Sequence, residues 1–101
     1  MNGNFKSLVL TYKTAPVAVR ELVSLNEAGV KQVLKFMQEF TTASDVLVVS
    51  TCNRTEIYYN SEKDFATEIF SGLSLVKGLS IDLAPYFQKL SDKEAVQHLF
   101  E

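Results

Sequence analysis

The chain has 101 residues, 47% of them apolar, and a net charge of −2, which fits one domain with its own core. The slight acidity gives no general nucleic-acid footprint, and no run approaches the roughly 20 apolar residues needed to cross a bilayer. Lys6 breaks the only N-terminal apolar run, so no secretory pattern is present. The single cysteine cannot close an internal disulfide, and no Cys/His cluster offers metal ligands; a cytoplasmic chain with no metal and no membrane contact is expected.

Phe5 to Tyr12, entered from Asn2-Gly3-Asn4, reads as the first strand, rich in apolar and aromatic residues. Pro16 stops it, with Ala15 biased toward extended backbone. Lys13 reads as a solvated charge, whereas Arg20 stays open between a solvated charge and an anion contact. Ser24-Leu25-Asn26-Glu27 has capping-box spacing and predicts a helix to about Phe40. Val30, Val33, Leu34, Met37 and Phe40 form its buried stripe. Nothing on it points to chemistry.

Val46-Leu47-Val48-Val49, within a strand from Asp45 to Ser50, is continuously apolar and predicts burial on both faces. Thr55 to Tyr59 predicts the next strand, with Asn53 as the turn former between them. Cys52 therefore belongs at the tip of a tight connection. A lone cysteine is most often a small buried hydrophobe. The strand-end position, the polar neighbours and Arg54 argue instead for an accessible thiol whose thiolate a cation favours.

Beyond the turn, a helix is expected from Glu62 to Lys77, its face made by Phe65, Ile69, Phe70, Leu73 and Val76 and its end capped by Gly78. Gly72 weakens that helix on propensity alone. Pro85 precedes a short edge strand, Tyr86 to Leu90. Ser91-Asp92-Lys93-Glu94 repeats the capping-box spacing and opens a last helix that runs into Glu101. His98 lies on it near Ala95 and Leu99. Its ordinary reading is a partly buried helix histidine, although an imidazole titrating near 6.5 also suits proton transfer. The order of elements predicts an α+β fold: a ferredoxin-like split β-α-β (βαββαβ) with a four-stranded antiparallel sheet, helices on one face, and the start of a further C-terminal helix.

Three segments, in order along the chain, resemble glutamyl-tRNA reductases. Ser50-Thr51-Cys52-Asn53-Arg54-Thr55-Glu56-Ile57-Tyr58 resembles that family's nucleophile segment. Tyr12-Lys13-Thr14-Ala15-Pro16-Val17, followed by Arg20-Glu21, resembles a family signature that begins with histidine; Tyr12 replaces it and is assigned no catalytic role. Glu94-Ala95-Val96-Gln97-His98-Leu99-Phe100 resembles the helix in which an active-site histidine precedes Leu-Phe or Leu-Met.

The resemblance implies an oxidoreductase of tetrapyrrole (porphyrin) biosynthesis that converts glutamyl-tRNA to glutamate 1-semialdehyde with NADPH. Cys52 and His98 would be catalytic. Cys52 would form a thioester with the glutamyl group, and His98 would protonate the leaving group or position the ester. Thr51, Asn53 and Arg54 would bind substrate, Arg54 through its planar fork. Glu56, Tyr58 and Tyr59 are given structural roles. The glycines at 3, 29, 72 and 78 form no Gly-x-Gly-x-x-Gly cradle, so no cofactor-binding residue is expected here. In the family, NADPH binding and homodimerisation belong to later domains. Residues 1–101 are accordingly read as an N-terminal catalytic domain that lacks both and does not complete the reduction alone. A non-catalytic ligand-binding module and a redox-sensing thiol are the competing readings.

Overall fold

The computed structural model describes residues 4–100. Asn2-Gly3, and Glu101 into which the last helix is expected to run, lie outside them. The elements are β1 (Phe5–Leu10), α1 (Val17–Val23), α2 (Glu27–Phe40), β2 (Ser44–Ser50), β3 (Thr55–Asn60), α3 (Ala66–Lys77), a single 3-10 turn (Ala84–Tyr86), β4 (Gln88–Ser91) and α4 (Lys93–Leu99). The strands form one sheet in the order β2-β3-β1-β4, and every neighbouring pair is antiparallel. Helices and one antiparallel sheet make the fold α+β, as the sequence predicts.

Strand alternation divides the packing. Leu8, Leu10, Ile57 and Tyr59 face one way and meet Val33 and Met37 of α2, Ile69 and Leu73 of α3, and Val19 and Val23 of α1. Val9 faces the other way and packs with Leu90 of β4 and Ala95 of α4, flanked by Phe5. Helices thus lie on both faces, where the sequence predicted one.

Other expectations are corrected. β1 ends at Leu10, short of the expected Tyr12, in a turn where the Thr14 and Ala15 N–H groups donate to Thr11 O, so Pro16 does not end the strand. It starts α1, which the sequence reading missed, and its φ of −69° is already suited to a helix entry. Ser24 caps the C-terminal end of α1 and is not the N-cap of α2; Asn26 takes that place, accepting the Gly29 N–H at 2.8 Å. The apolar β2 is not buried on both faces. β3 lies between it and β1, which leaves β2 at an edge with Leu47 45% exposed. A bulge between Ser44 and Leu47, with Asp45 at φ 53°, bends that edge. Helix α3 begins at Ala66, not Glu62. Tyr86 belongs to the 3-10 turn, so β4 runs Gln88–Ser91. Ser91 pairs with Lys6 in the sheet, and the second capping box does not form. Gly78 does cap α3, at φ 65°.

The start of α3 carries a pH-dependent contact. Asp64 accepts the Ala66 N–H at 2.8 Å and the Lys89 ammonium at 3.0 Å. The backbone hydrogen bond, then the lysine, hold its carboxyl below the usual carboxylate range. A lowered folded-state pKa stabilises above the unfolded value of about 3.9 and is lost as pH falls through the folded one. Asp64→Asn keeps an acceptor for Ala66 but removes this charge. Urea denaturation from pH 6 down to pH 2.5 is expected to show wild type ahead at the upper end and the two proteins converging at the lower. A constant difference would rule the contact out as the source.

Candidate active site at the β2–β3 turn

Ser50 and Thr55 are the last paired residues of the β2–β3 hairpin. Between them Thr51 N–H donates to Arg54 O at 2.8 Å, and Asn53 N–H donates to Thr51 Oγ1 at 3.2 Å. The turn is tied down from beneath. Ser50 Oγ accepts the Leu25 N–H at 2.8 Å and lies 3.2 Å from Thr55 Oγ1, which donates to Val23 O at 3.5 Å. The junction of α1 and α2 thereby holds the hairpin end, and Cys52 stands above it as an exposed free thiol. Local sequence explains the arrangement: small hydroxyl residues at both strand ends reach backbone groups that a larger side chain would cover.

Along β3, Thr55, Ile57 and Tyr59 point into the main core, so Glu56 and Tyr58 point to the opposite face. Glu56 is 4% exposed and has Val9 and Val49 as its sheet neighbours. An ionised carboxylate there needs partners, because burial strips its water. It has three. Tyr58 Oη donates to Oε1 at 3.0 Å, His98 Nε2 lies 2.7 Å from Oε2, and Arg54 Nη1 lies 3.6 Å from the same oxygen.

The sequence reading gave Glu56 a structural part only. The signal that it missed is the two-residue spacing of Arg54, Glu56 and Tyr58, which places all three on the face that receives α4. Arg54 and His98, far apart in sequence, are brought together by this one carboxylate.

A cavity of about 190 Å³ opens beside them, lined by Thr11, Tyr12, Lys13, Asn53, Arg54 and His98. Of the sequence-predicted residues, Asn53, Arg54 and His98 share its wall. Thr51 and Cys52 stand next to it in the chain, on the exposed turn, without lining it. Lys13 and Arg54 make the wall cationic, which suits a small anionic group. Tyr12 is 70% exposed, with the Lys13 ammonium 6.0 Å from its ring centroid. Arg20 donates from Nη1 to Ala15 O at 2.9 Å and supports the loop before α1. A larger cavity of about 740 Å³, between α3 and the segment leading to β4, shares no residue with this one and is lined by neither cysteine nor histidine. Among the described residues no group of three or more His, Cys, Asp or Glu side chains is placed to hold a metal. No helix among them is long and apolar enough to cross a membrane.

Comparison with known proteins places these features in context. Residues 8–101 match the family model described as glutamyl-tRNAGlu reductase, N-terminal domain. The chain is 43% identical to a glutamyl-tRNA reductase of Cytophaga hutchinsonii, over all of this chain and 24% of that protein. It is 39% identical to one from Alkaliphilus oremlandii, over 89% of this chain and 27% of that protein. The solved structure of glutamyl-tRNA reductase from Methanopyrus kandleri superposes with a TM-score of 0.69 at 24% identity, over 97% of this chain and 21% of that one. The chain thus spans about a quarter of the length of the relatives that it matches.

Proposed function

The chain belongs to the glutamyl-tRNA reductase N-terminal domain family, and from that premise we propose that it is the domain in which glutamyl-tRNA is bound and attacked. The observation that carries the proposal is the exposed thiol of Cys52 on a turn braced by hydrogen bonds, beside a cavity walled by Asn53, Arg54 and His98. The Cys52 thiolate attacks the ester carbonyl that joins glutamate to the terminal ribose. A C–S bond forms, the C–O bond to ribose breaks, and the ribose oxygen takes a proton.

Arg54 binds the glutamate side-chain carboxylate. Thr51 and Asn53 supply hydroxyl and amide groups to the rest of the glutamyl unit. His98 holds the ester or delivers the proton. On this reading the thioester is then reduced to glutamate 1-semialdehyde with NADPH, for porphyrin biosynthesis. The described residues do not fit that cofactor. Gly29 and Gly72 sit inside helices against neighbouring side chains, and Gly78 caps α3, so none forms a phosphate cradle. The reading places the reduction, and homodimerisation, in the part of the relatives' length that this chain does not match. The sheet order β2-β3-β1-β4 supports the ferredoxin-like reading of this domain, and an exposed unpaired thiol fits a reducing cytoplasm.

Intact-protein mass spectrometry after incubation with glutamyl-tRNA tests the reading. A glutamyl-sized adduct that hydroxylamine removes is expected. A folded chain that neither gains the adduct nor hydrolyses the ester above background would overturn it, as would oxidation of Cys52 as the only reaction seen.

A further inference from the structure

We propose that Glu56 is a positioning residue that clamps Arg54 and His98 into one unit, so that the substrate carboxylate and the scissile ester are held in fixed relation to Cys52. The inference rests on the thioester reading above and deepens it.

Its ground is the division of labour between the two carboxylate oxygens. Oε1 receives the Tyr58 hydroxyl, whereas Oε2 faces both His98 Nε2, at 2.7 Å, and Arg54 Nη1, at 3.6 Å. The two residues on Oε2 both line the cavity. A carboxylate can only accept, so Nε2 carries a proton whether the ring is neutral or charged. The tautomer is fixed, and in the neutral ring Nδ1 is the acceptor. Arg54 is about half exposed and would otherwise sample many rotamers. One Nη anchored near Glu56 leaves the rest of its planar fork for a bidentate anion.

Packing alone does not account for a glutamate at this position. A neutral or apolar side chain of similar size fills the space between Val9 and Val49 without the cost of burying a charge. The carboxylate does what such a residue cannot do: it holds a cation and an imidazole at once. Misplacement of a positioning group by about 1 Å typically costs on the order of 100-fold in rate.

The test compares wild type, Glu56→Gln and Glu68→Gln, the last making the same change at an exposed site on α3. Three quantities are read: the rate of Cys52 glutamylation by glutamyl-tRNA, the rate of Cys52 alkylation by iodoacetamide, and the nitrogen shifts of His98. As the only histidine in the chain, His98 gives an unambiguous long-range ¹⁵N–¹H spectrum. Glu56→Gln is expected to slow glutamylation by roughly 30- to 100-fold and to leave alkylation within about twofold. It should also convert His98 from the Nε2–H tautomer to a mixture, while Glu68→Gln matches wild type throughout.

A folded Glu56→Gln protein that glutamylates within threefold of wild type would overturn the proposal. So would an unchanged His98 spectrum. If wild type itself forms no adduct, the thioester reading fails separately, and the His98 spectrum alone decides whether the clamp exists.

Discussion

Cys52→Ser is expected to abolish glutamyl transfer and leave the fold intact. The thiol is exposed on a turn whose hydrogen bonds run through Thr51, Asn53, Ser50 and Thr55, none of which needs sulfur. Urea denaturation should therefore place the variant within about 0.5 kcal/mol of wild type, the range of exposed substitutions. The chemistry should not survive. A serine hydroxyl stays protonated at neutral pH and lacks a base poised to activate it, whereas a thiol is partly ionised and strongly nucleophilic. Loss of a nucleophile costs on the order of 10³-fold or more. The two measurements together separate the competing accounts. A merely structural cysteine would show a stability change with transfer retained, and that result would sink the assignment.

The largest expected effect on stability lies far from the turn. A Cβ built on Gly72 of α3 would stand 2.5 Å from Phe36 Cδ1 and 3.0 Å from its Cγ on α2. The clash reaches the root of the ring, so rotation about the ring axis cannot relieve it. Phe36 also packs on Phe40, with ring centroids 4.7 Å apart, which limits retreat. Gly72→Ala gains about 1 kcal/mol of helix propensity, while overpacking of this kind costs about 1–3 kcal/mol, occasionally more. Net destabilisation is expected, with a fall in Tm of about 4–8 °C for each kcal/mol lost in a domain of this size. Phe36→Leu should rescue it, and a double-mutant cycle over the two sites should show strong coupling. A Gly72→Ala protein as stable as wild type would mean that the α2–α3 approach is looser than the structure places it. Propensity alone reads this glycine as a weakness in the helix; the structure shows it as the place where the Phe36 ring of α2 packs directly onto α3.

That contrast recurs through the fold. Helical stripes such as Val33 with Met37, and Ile69 with Leu73, are written in local periodicity and are buried where that periodicity puts them, although Phe40, expected on the same stripe, is 61% exposed at the end of α2. The tip position of Cys52 follows from two strand-like runs with a turn former between them, and it too was legible. Edge status was not. Val46 to Val49 looks like a central strand because apolar content reports burial, while neighbours in a sheet are chosen by the path of the whole chain. The structure sets β3 between β1 and β2, and the continuous apolar run becomes an edge. Capping was half legible: Ser24 and Asn26 both qualify as N-caps, and the choice fell to Asn26 because α1, which the sequence reading missed, ends on Ser24.

The site divides in the same way. The sequence by itself determined the nucleophile candidate, its turn, the arginine beside it and the helix that carries the histidine, because each depends on residues close together in the chain. Only the tertiary structure decided that Arg54 and His98 meet, and that they meet at Glu56. Their meeting requires α4 to fold back over the face of β3 opposite the main core. No local preference encodes that placement; it follows from burying Val9, Leu90 and Ala95 together, and a buried carboxylate then takes as partners whatever donors that packing delivers.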